Sequence, residues 1–179
     1  MLNPYAGPEA VAFAYRIFLV LCVPVCAWVA WSDLKYMKIP NKAVYALVGI
    51  FAVAGILLVP FDIWLWRWLS LVVVLVIGIV LNAVAGVGAG DAKFAAAAAP
   101  FFVQSVNDAR QAAILLAAFL LGAFASHRLL RAIPAVRAMT PDWVSWTHAK
   151  FPMGLALVGT FLTYLTLLAF STFFQGPTG

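Results

Sequence analysis

Long apolar runs, separated by short polar segments, account for most of this chain of 179 residues. Hydrophobic residues make up 66% of the sequence and charged residues 9%, whereas a soluble domain has about 25% charged residues. A run of about 20 apolar residues is long enough to cross the hydrocarbon core of a membrane as an α-helix. The sequence therefore predicts an all-α, polytopic membrane protein of about six transmembrane helices, with residues 1–179 forming a single domain.

The predicted spans cover residues 11–31, 43–59, 69–85, 91–106, 111–126 and 151–173. Residues 127–150, between the last two spans, contain several arginines and tryptophans and two prolines. This composition favours a segment that lies at the membrane interface. Cys22 and Cys26 have no histidine nearby, and we interpret them as small apolar residues of the first span.

The distribution of basic residues predicts the orientation of the chain. Eight lysines and arginines lie in residues 33–42, 86–93 and 127–150, whereas the other connections hold Arg67 and Arg110. Because positively charged loops stay in the cytoplasm, we expect these three segments there and both termini on the outer side. The net charge of +5 reflects this asymmetry and does not indicate a nucleic-acid partner, since the basic residues form no single patch interleaved with aromatic residues.

Two of the predicted cytoplasmic segments carry an aspartate after an apolar run. Asp33 follows the first span, and Asp91 lies in the glycine-rich sequence of residues 86–93. An ionisable group at such a position is a candidate for function. The simpler interpretations are a solvated loop residue for Asp33 and a helix N-cap for Asp91.

Two carboxylates at one membrane face can hydrolyse a peptide bond without a covalent intermediate. The ionised carboxylate takes a proton from the attacking water, while the protonated one hydrogen-bonds the scissile carbonyl oxygen and supplies a proton. Like charges a few ångströms apart repel, so the pair shares one proton. Gly88 and Gly90 allow an extended substrate to lie close to the backbone beside Asp91. This chemistry requires no metal ion or organic cofactor.

The sequence pattern resembles a known family. Asp33 followed by Ile39-Pro40-Asn41, and Gly88-Ala89-Gly90-Asp91 followed by Lys93, are similar to the motifs of the bacterial type IV prepilin peptidases, which are GxGD intramembrane aspartyl proteases. The resemblance implies removal of the leader from prepilin or pilin-like precursors at the cytoplasmic face of the bacterial inner membrane. It also implies that Asp33 and Asp91 are the catalytic pair, and that the precursor and membrane lipid are the partners.

Further residues around the two aspartates are expected to bind substrate or to shape the site. They are Gly88, Gly90, Lys93, Lys38, Pro40 and Asn41. For Lys93 two roles stay open, since its ammonium group could tune the aspartates or contact a lipid phosphate.

The resemblance is closest to one group within the family. Larger members carry a methyltransferase segment with paired cysteines, and the present sequence resembles instead the short, peptidase-only members of tight-adherence (Flp-type) pilus systems. The sequence of residues 152–157 is loosely similar to the final span of the family.

Two other functions stay open at this stage. The protein could be a non-catalytic membrane assembly factor of a secretion system, or a proton-coupled transporter in which the aspartates carry protons. A transporter usually has internal repeats and polar residues near the middle of the membrane, and the sequence has neither pattern. An assembly factor needs no paired acids.

Overall fold

The computed structural model describes residues 7–103 and 105–171, and the regular structure in these ranges is helical. The helices are α1 (Pro8–Tyr36), α2 (Asn41–Leu58), α3 (Phe61–Ala85), α4 (Ala89–Ala98), α5 (Val106–Ala132), α6 (Pro134–Met139) and α7 (Met153–Ala169). Two short 3₁₀ turns cover Ala99–Phe101 and Val144–Trp146. Four helices, α1, α2, α3 and α5, are long and apolar enough to cross a membrane, and α7 is a shorter apolar helix. The prediction of an all-α polytopic membrane protein is confirmed.

The helix boundaries differ from the predicted spans at several places. Helix α3 begins at Phe61 rather than at 69, because Pro60 directly precedes it and fixes the backbone at its start. Helix α5 covers 106–132, so it includes residues that were expected in a polar turn and in the interfacial segment. Helix α7 ends at Ala169, and residues 172–173 of the last predicted span lie outside the described residues, as do residues 1–6.

Helix α4 is short and lies in the middle of the helical assembly. Its 10 residues span about 15 Å, roughly half the thickness of the hydrocarbon core. The helix ends at Ala98, and Pro100 lies in the 3₁₀ turn that follows, so the predicted span to residue 106 is not a continuous helix. It packs against α2, α3 and α7.

Small residues allow α4 to approach α3 closely. A Cβ atom placed on Gly78 of α3 would lie 2.7 Å from the Cβ of Ala92, which no pair of real side chains tolerates. Most of the alanines of α4 are buried between its neighbouring helices. The close contact holds the first turn of α4, which carries Asp91, inside the assembly.

An aromatic core fixes the arrangement of α1, α2 and α7. Phe18 of α1 contacts Phe101 edge to face, with 5.1 Å between ring centroids, and Phe51 of α2 and Phe161 of α7 each lie 5.2 Å from Phe101. Such edge-to-face pairs add stabilisation beyond the burial of their area. The core lies towards the amino-terminal half of α1, so the carboxyl-terminal end of α1 is free to meet the start of α7.

Arg67 lies inside helix α3, whereas the sequence predicts it in a connection between two spans. It is 3% exposed within α3, and its guanidinium donates a hydrogen bond to the Tyr15 hydroxyl at 3.3 Å. A hydrogen-bonded arginine can therefore be buried here, and the count of basic residues by segment treats it wrongly as a loop residue.

Candidate active site

Asp33 lies in the last turn of α1, not in a loop as the sequence predicts. Helix α1 continues to Tyr36, and Met37 then adopts the left-handed conformation with its N–H donating back to the Asp33 carbonyl at 2.9 Å. This is a common way to end a helix. The Asp33 side chain is 5% exposed, and its Oδ2 accepts a hydrogen bond from the backbone N–H of Gly154 at 2.7 Å. The carboxylate is therefore held at the junction of α1 and α7.

Gly154 is a residue whose role the sequence analysis missed. A Cβ atom at this position would lie 2.8 Å from the Oδ2 of Asp33 and 3.0 Å from its Cγ. Only glycine gives the carboxylate this close approach to the backbone. The available signal is the glycine in the first turn of the final span, directly after Pro152 and Met153.

Asp91 lies in the first turn of α4, where the free N–H groups of the helix favour a negative charge. The N-cap position is occupied by Gly88, so Asp91 is not the cap. A Cβ atom on Gly88 would collide with the Oδ2 of Asp91, whereas one on Gly90 would lie 3.3 Å from the Cβ of Ile39. Gly88 thus leaves room for the carboxylate, and Gly90 leaves room for the connection that follows α1.

The two aspartates line the same cavity, which has a volume of about 710 Å³. The described titratable side chains in its lining are Asp33, Asp91, His148 and Lys150. Burial of the carboxyl group and the nearby charge of Asp33 raise the pKa of Asp91 to about 6, and the ammonium group of Lys150 offsets only part of this rise. Helix α5 supplies much of the apolar wall through Leu120, Leu121 and Phe124. The cavity thus combines an acid pair with an apolar surface.

The other predicted site residues lie beside this cavity rather than in its lining. Lys93 is exposed, and its ammonium nitrogen lies 3.5 Å from the Oδ1 of Asn41, so it connects α4 to the start of α2. Pro40 is the N-cap residue of α2. Lys38 is exposed, and its carbonyl oxygen accepts a hydrogen bond from the Ser32 hydroxyl at 2.8 Å. Of the predicted set, Asp33, Asp91 and Gly88 meet at the cavity.

The segment between α6 and α7 also contributes to the site. Asp142 of this segment forms a salt bridge of 2.7 Å with Lys35, two residues beyond Asp33. Further along, His148 and Lys150 enter the cavity lining. In the sequence, Lys150 contributes to the charge count that orients the chain, but its position just before the last span, on the same predicted face as the aspartates, is also a signal for a site residue.

The described residues contain no group of three or more histidine, cysteine, aspartate and glutamate side chains that could hold a metal ion. What the cavity offers is an acid pair with a nearby ammonium group, which can move protons between water and a substrate.

The sequence model of the type IV leader peptidase family matches residues 19–127 of the chain. No curated protein and no solved structure was found to match the chain. The matched region contains both aspartates and covers 109 of 179 residues, counting from 19 to 127 inclusive. With more than half of its length matched, the chain belongs to the type IV leader peptidase family.

Proposed function

We propose that the protein is an aspartyl endopeptidase that removes the leader peptide from prepilin or pilin-like precursors at the cytoplasmic face of the bacterial inner membrane. One observation carries this proposal: Asp33 and Asp91, 58 positions apart in the sequence (91 − 33), line one cavity. Family membership supports a peptidase that acts on such precursors. The excess of basic residues in three connections supports the cytoplasmic side for the site, with both termini outside.

The proposed reaction uses one water molecule and one proton shared by the two aspartates. The ionised carboxylate accepts a proton from water as the water oxygen attacks the scissile carbonyl carbon, and the protonated carboxyl donates a hydrogen bond to the carbonyl oxygen. The C–N bond then breaks, and the leaving nitrogen takes the proton that the first carboxylate received. The products are a new carboxyl terminus and a new amino terminus, and the pair again shares one proton.

A second cavity suggests how an apolar substrate reaches the carboxylates. It has a volume of about 400 Å³ and lies between α3, α4, α5 and α7, with alanines forming much of its lining. On α5 it is lined by Ala109, Ala112, Ala113 and Leu116, and Leu120 and Phe124 of the same helix line the catalytic cavity. These positions recur every three or four residues and so lie on one helix face. A hydrophobic helix next to the leader could lie along this face, where small residues permit close packing.

The residues around the pair have proposed supporting roles. Gly88 keeps the backbone beside Asp91 open to an extended substrate, and Gly90 shapes the site by letting Ile39 pack against the first turn of α4. Pro40 and Asn41, with Lys38 and Lys93, form the rim at the start of α2, where the lysines can contact the substrate or the phosphate groups of lipid. The proposed chemistry uses no metal ion or organic cofactor.

Co-expression with an affinity-tagged Flp-type prepilin tests the proposal. We expect Asp33→Asn and Asp91→Asn each to reduce precursor cleavage by more than about a hundredfold, because each removes one member of the acid–base pair. The matched control is Asp62→Asn, since Asp62 is exposed in the first turn of α3 and outside the cavity. Cleavage at the wild-type level in either active-site variant would contradict the proposal. Normal processing with loss of assembled pili would instead support an assembly factor.

A further inference from the structure

A buried serine near the end of α1 holds the connection between α1 and α2. The Ser32 side chain is 5% exposed, and its hydroxyl donates a hydrogen bond to the carbonyl oxygen of Lys38 at 2.8 Å. Other helical hydroxyl groups of the chain, such as those of Thr160 and Thr166, donate to the carbonyl four residues back in their own helix. The Ser32 bond reaches forward by six positions instead. It therefore holds the connection and not the helix that carries the serine.

The residue after Lys38 packs against α4 beside Asp91. A Cβ atom placed on Gly90 would lie 3.3 Å from the Cβ of Ile39 and 3.6 Å from its backbone nitrogen. Gly90 directly precedes Asp91 in the first turn of α4. The connection is thus in contact with both helices that carry an aspartate, through a hydrogen bond to α1 and through close packing on α4.

We propose that Ser32 is a positioning residue that sets the separation of the two site carboxylates through the connection between α1 and α2. Ser32 directly precedes Asp33, and the contact of Ile39 with Gly90 directly precedes Asp91. Ser32 does not line the cavity, so it acts through the aspartates and not on the substrate. This inference rests on the proposed peptidase function.

The other contacts of the connection lie on either side of the segment that Ser32 holds. The Met37 N–H donates to the Asp33 carbonyl at 2.9 Å, which fixes the chain before Lys38. The Lys93 ammonium nitrogen lies 3.5 Å from the Oδ1 of Asn41, after Ile39, and both of these side chains are exposed. A long hydrogen bond between exposed groups holds the backbone weakly. Removal of the Ser32 hydroxyl should therefore release the Lys38 carbonyl and the packing of the next residue.

Ser32→Ala in the full-length protein, purified into phospholipid vesicles, tests the proposal with the tagged Flp-type prepilin as substrate. We expect kcat to fall by about tenfold, because a small displacement of a catalytic group has effects of this size. The matched control is Ser171→Ala. Its hydroxyl donates to the carbonyl of Leu168, three residues back, at 3.0 Å and lies outside the cavity lining. This control should keep the wild-type kcat.

A double-mutant cycle with Gly90→Ala shows whether Ser32 acts through the connection. The alanine methyl at position 90 presses on Ile39, and it should do less harm once the connection is already released. We therefore expect the double variant to lose less kcat than the product of the two single losses. A general loss of stability would make the two losses multiply.

Crosslinking measures the separation of the two carboxylate positions without any need for activity. The reporter is the variant with Asp33→Cys and Asp91→Cys, treated with a short bifunctional thiosulfonate reagent. Cys22 and Cys26 are fully buried in α1 and should not react. Mass spectrometry of the linked peptides should show that Ser32→Ala slows the crosslinking severalfold, whereas Ser171→Ala does not.

Three results would each overturn the inference. They are wild-type kcat in Ser32→Ala, losses of kcat that multiply fully with those of Gly90→Ala, and an unchanged rate of crosslinking. Full activity of Asp33→Asn or Asp91→Asn would instead refute the proposed peptidase function, while the crosslinking would still report whether Ser32 sets the separation of the two positions.

Discussion

The backbone N–H of Gly154 donates a hydrogen bond to the Oδ2 of Asp33, with 2.7 Å between the two atoms. The partners are 121 positions apart and join the last turn of α1 to the first turn of α7. The first N–H groups of a helix have no partner within the helix, so a carboxylate satisfies one of them. This bond places Asp33 at a fixed point of the cavity and makes the start of α7 part of the site.

Gly154→Ala tests this relationship. The added methyl group would lie 2.8 Å from the Oδ2 and 3.1 Å from the Cβ of Asp33, so the buried carboxylate must move or α1 and α7 must separate. We expect kcat for precursor cleavage to fall by about tenfold to a hundredfold, because a small displacement of a catalytic group has effects of this size. Gly49→Ala is the control, since nothing lies within 4 Å of a Cβ at that exposed position on α2. A Gly154→Ala protein with wild-type kcat would contradict the prediction.

Gly88→Ala and Gly90→Ala should differ in effect, although both lie beside Asp91. At Gly88 the new methyl group meets the carboxylate oxygen of Asp91, which can rotate away, so we expect a large loss of kcat with little change in melting temperature. The φ of Gly88 is −60°, so alanine causes no backbone strain there. At Gly90 the methyl group meets the Cβ of Ile39 at 3.3 Å, and the loss of kcat should be smaller. Cleavage assays and thermal melts of both variants test this prediction. A larger loss of kcat in Gly90→Ala than in Gly88→Ala would contradict it.

The sequence predicts the fold class well because apolar length is a sufficient signal for membrane helices. It predicts the end of α1 poorly. The predicted span ends at Trp31, whereas the helix continues through Asp33 to Tyr36, because its last turn is stabilised by Met37 and by contact with α7. Hydropathy indicates which residues lie in the membrane, but it does not show how far a helix continues past the membrane surface. The interpretation of Asp33 as a loop residue fails for this reason.

The composition of the site was only partly predictable. Asp33, Asp91 and Gly88 belong to local motifs, and the structure brings them together at one cavity. Gly154 belongs to the site through its hydrogen bond to Asp33, and Lys150 lies in the cavity lining. Both contacts depend on the packing of segments that are distant in the sequence, which the weak local signals at these positions do not encode. The basic residues illustrate the same limit, since a count of charges by segment does not separate Lys93, which lies outside the cavity lining, from Lys150, which belongs to it.

The salt bridge between Lys35 and Asp142 should stabilise the segment before α7 weakly and in a pH-dependent way. The hydrogen-bonded ammonium group of Lys35 holds the pKa of Asp142 below its ordinary value. A lowered carboxyl pKa gives stabilisation that is present above the unfolded value and is lost as the pH falls through the folded value. We therefore expect Asp142→Asn to lower the melting temperature slightly at pH 7 and to have no effect in strong acid.

Salt dependence and a double-mutant cycle check this prediction. The Asp142 side chain is 58% exposed, so high salt should screen the pair and reduce the difference between Asp142→Asn and wild type. Lys35→Gln should add little to the effect of Asp142→Asn, because either change removes the bridge. Fully additive effects on the melting temperature would show that the two residues stabilise the protein independently.

Tyr164→Phe should separate stability from activity. The buried Tyr164 hydroxyl accepts a hydrogen bond from the Val103 N–H at 2.8 Å and donates one to the Oδ1 of Asp108 at 2.8 Å. Phenylalanine leaves both partners without this contact, so we expect a destabilisation of about 1–3 kcal/mol. Tyr164 lies ten residues beyond Gly154 on α7, about 15 Å along the helix axis, so the position of Asp33 should not change.

Thermal melts in detergent and cleavage assays below the melting temperature measure the two effects of Tyr164→Phe. We expect a lower melting temperature with kcat within about twofold of wild type, because the aromatic core still fixes α7 against α1. Tyr45→Phe is the control, since Tyr45 is 71% exposed on α2. A large fall in kcat with an unchanged melting temperature would show instead that the hydrogen bonds of Tyr164 are coupled to the cavity that holds Asp33 and Asp91, and that the two ends of α7 do not act independently.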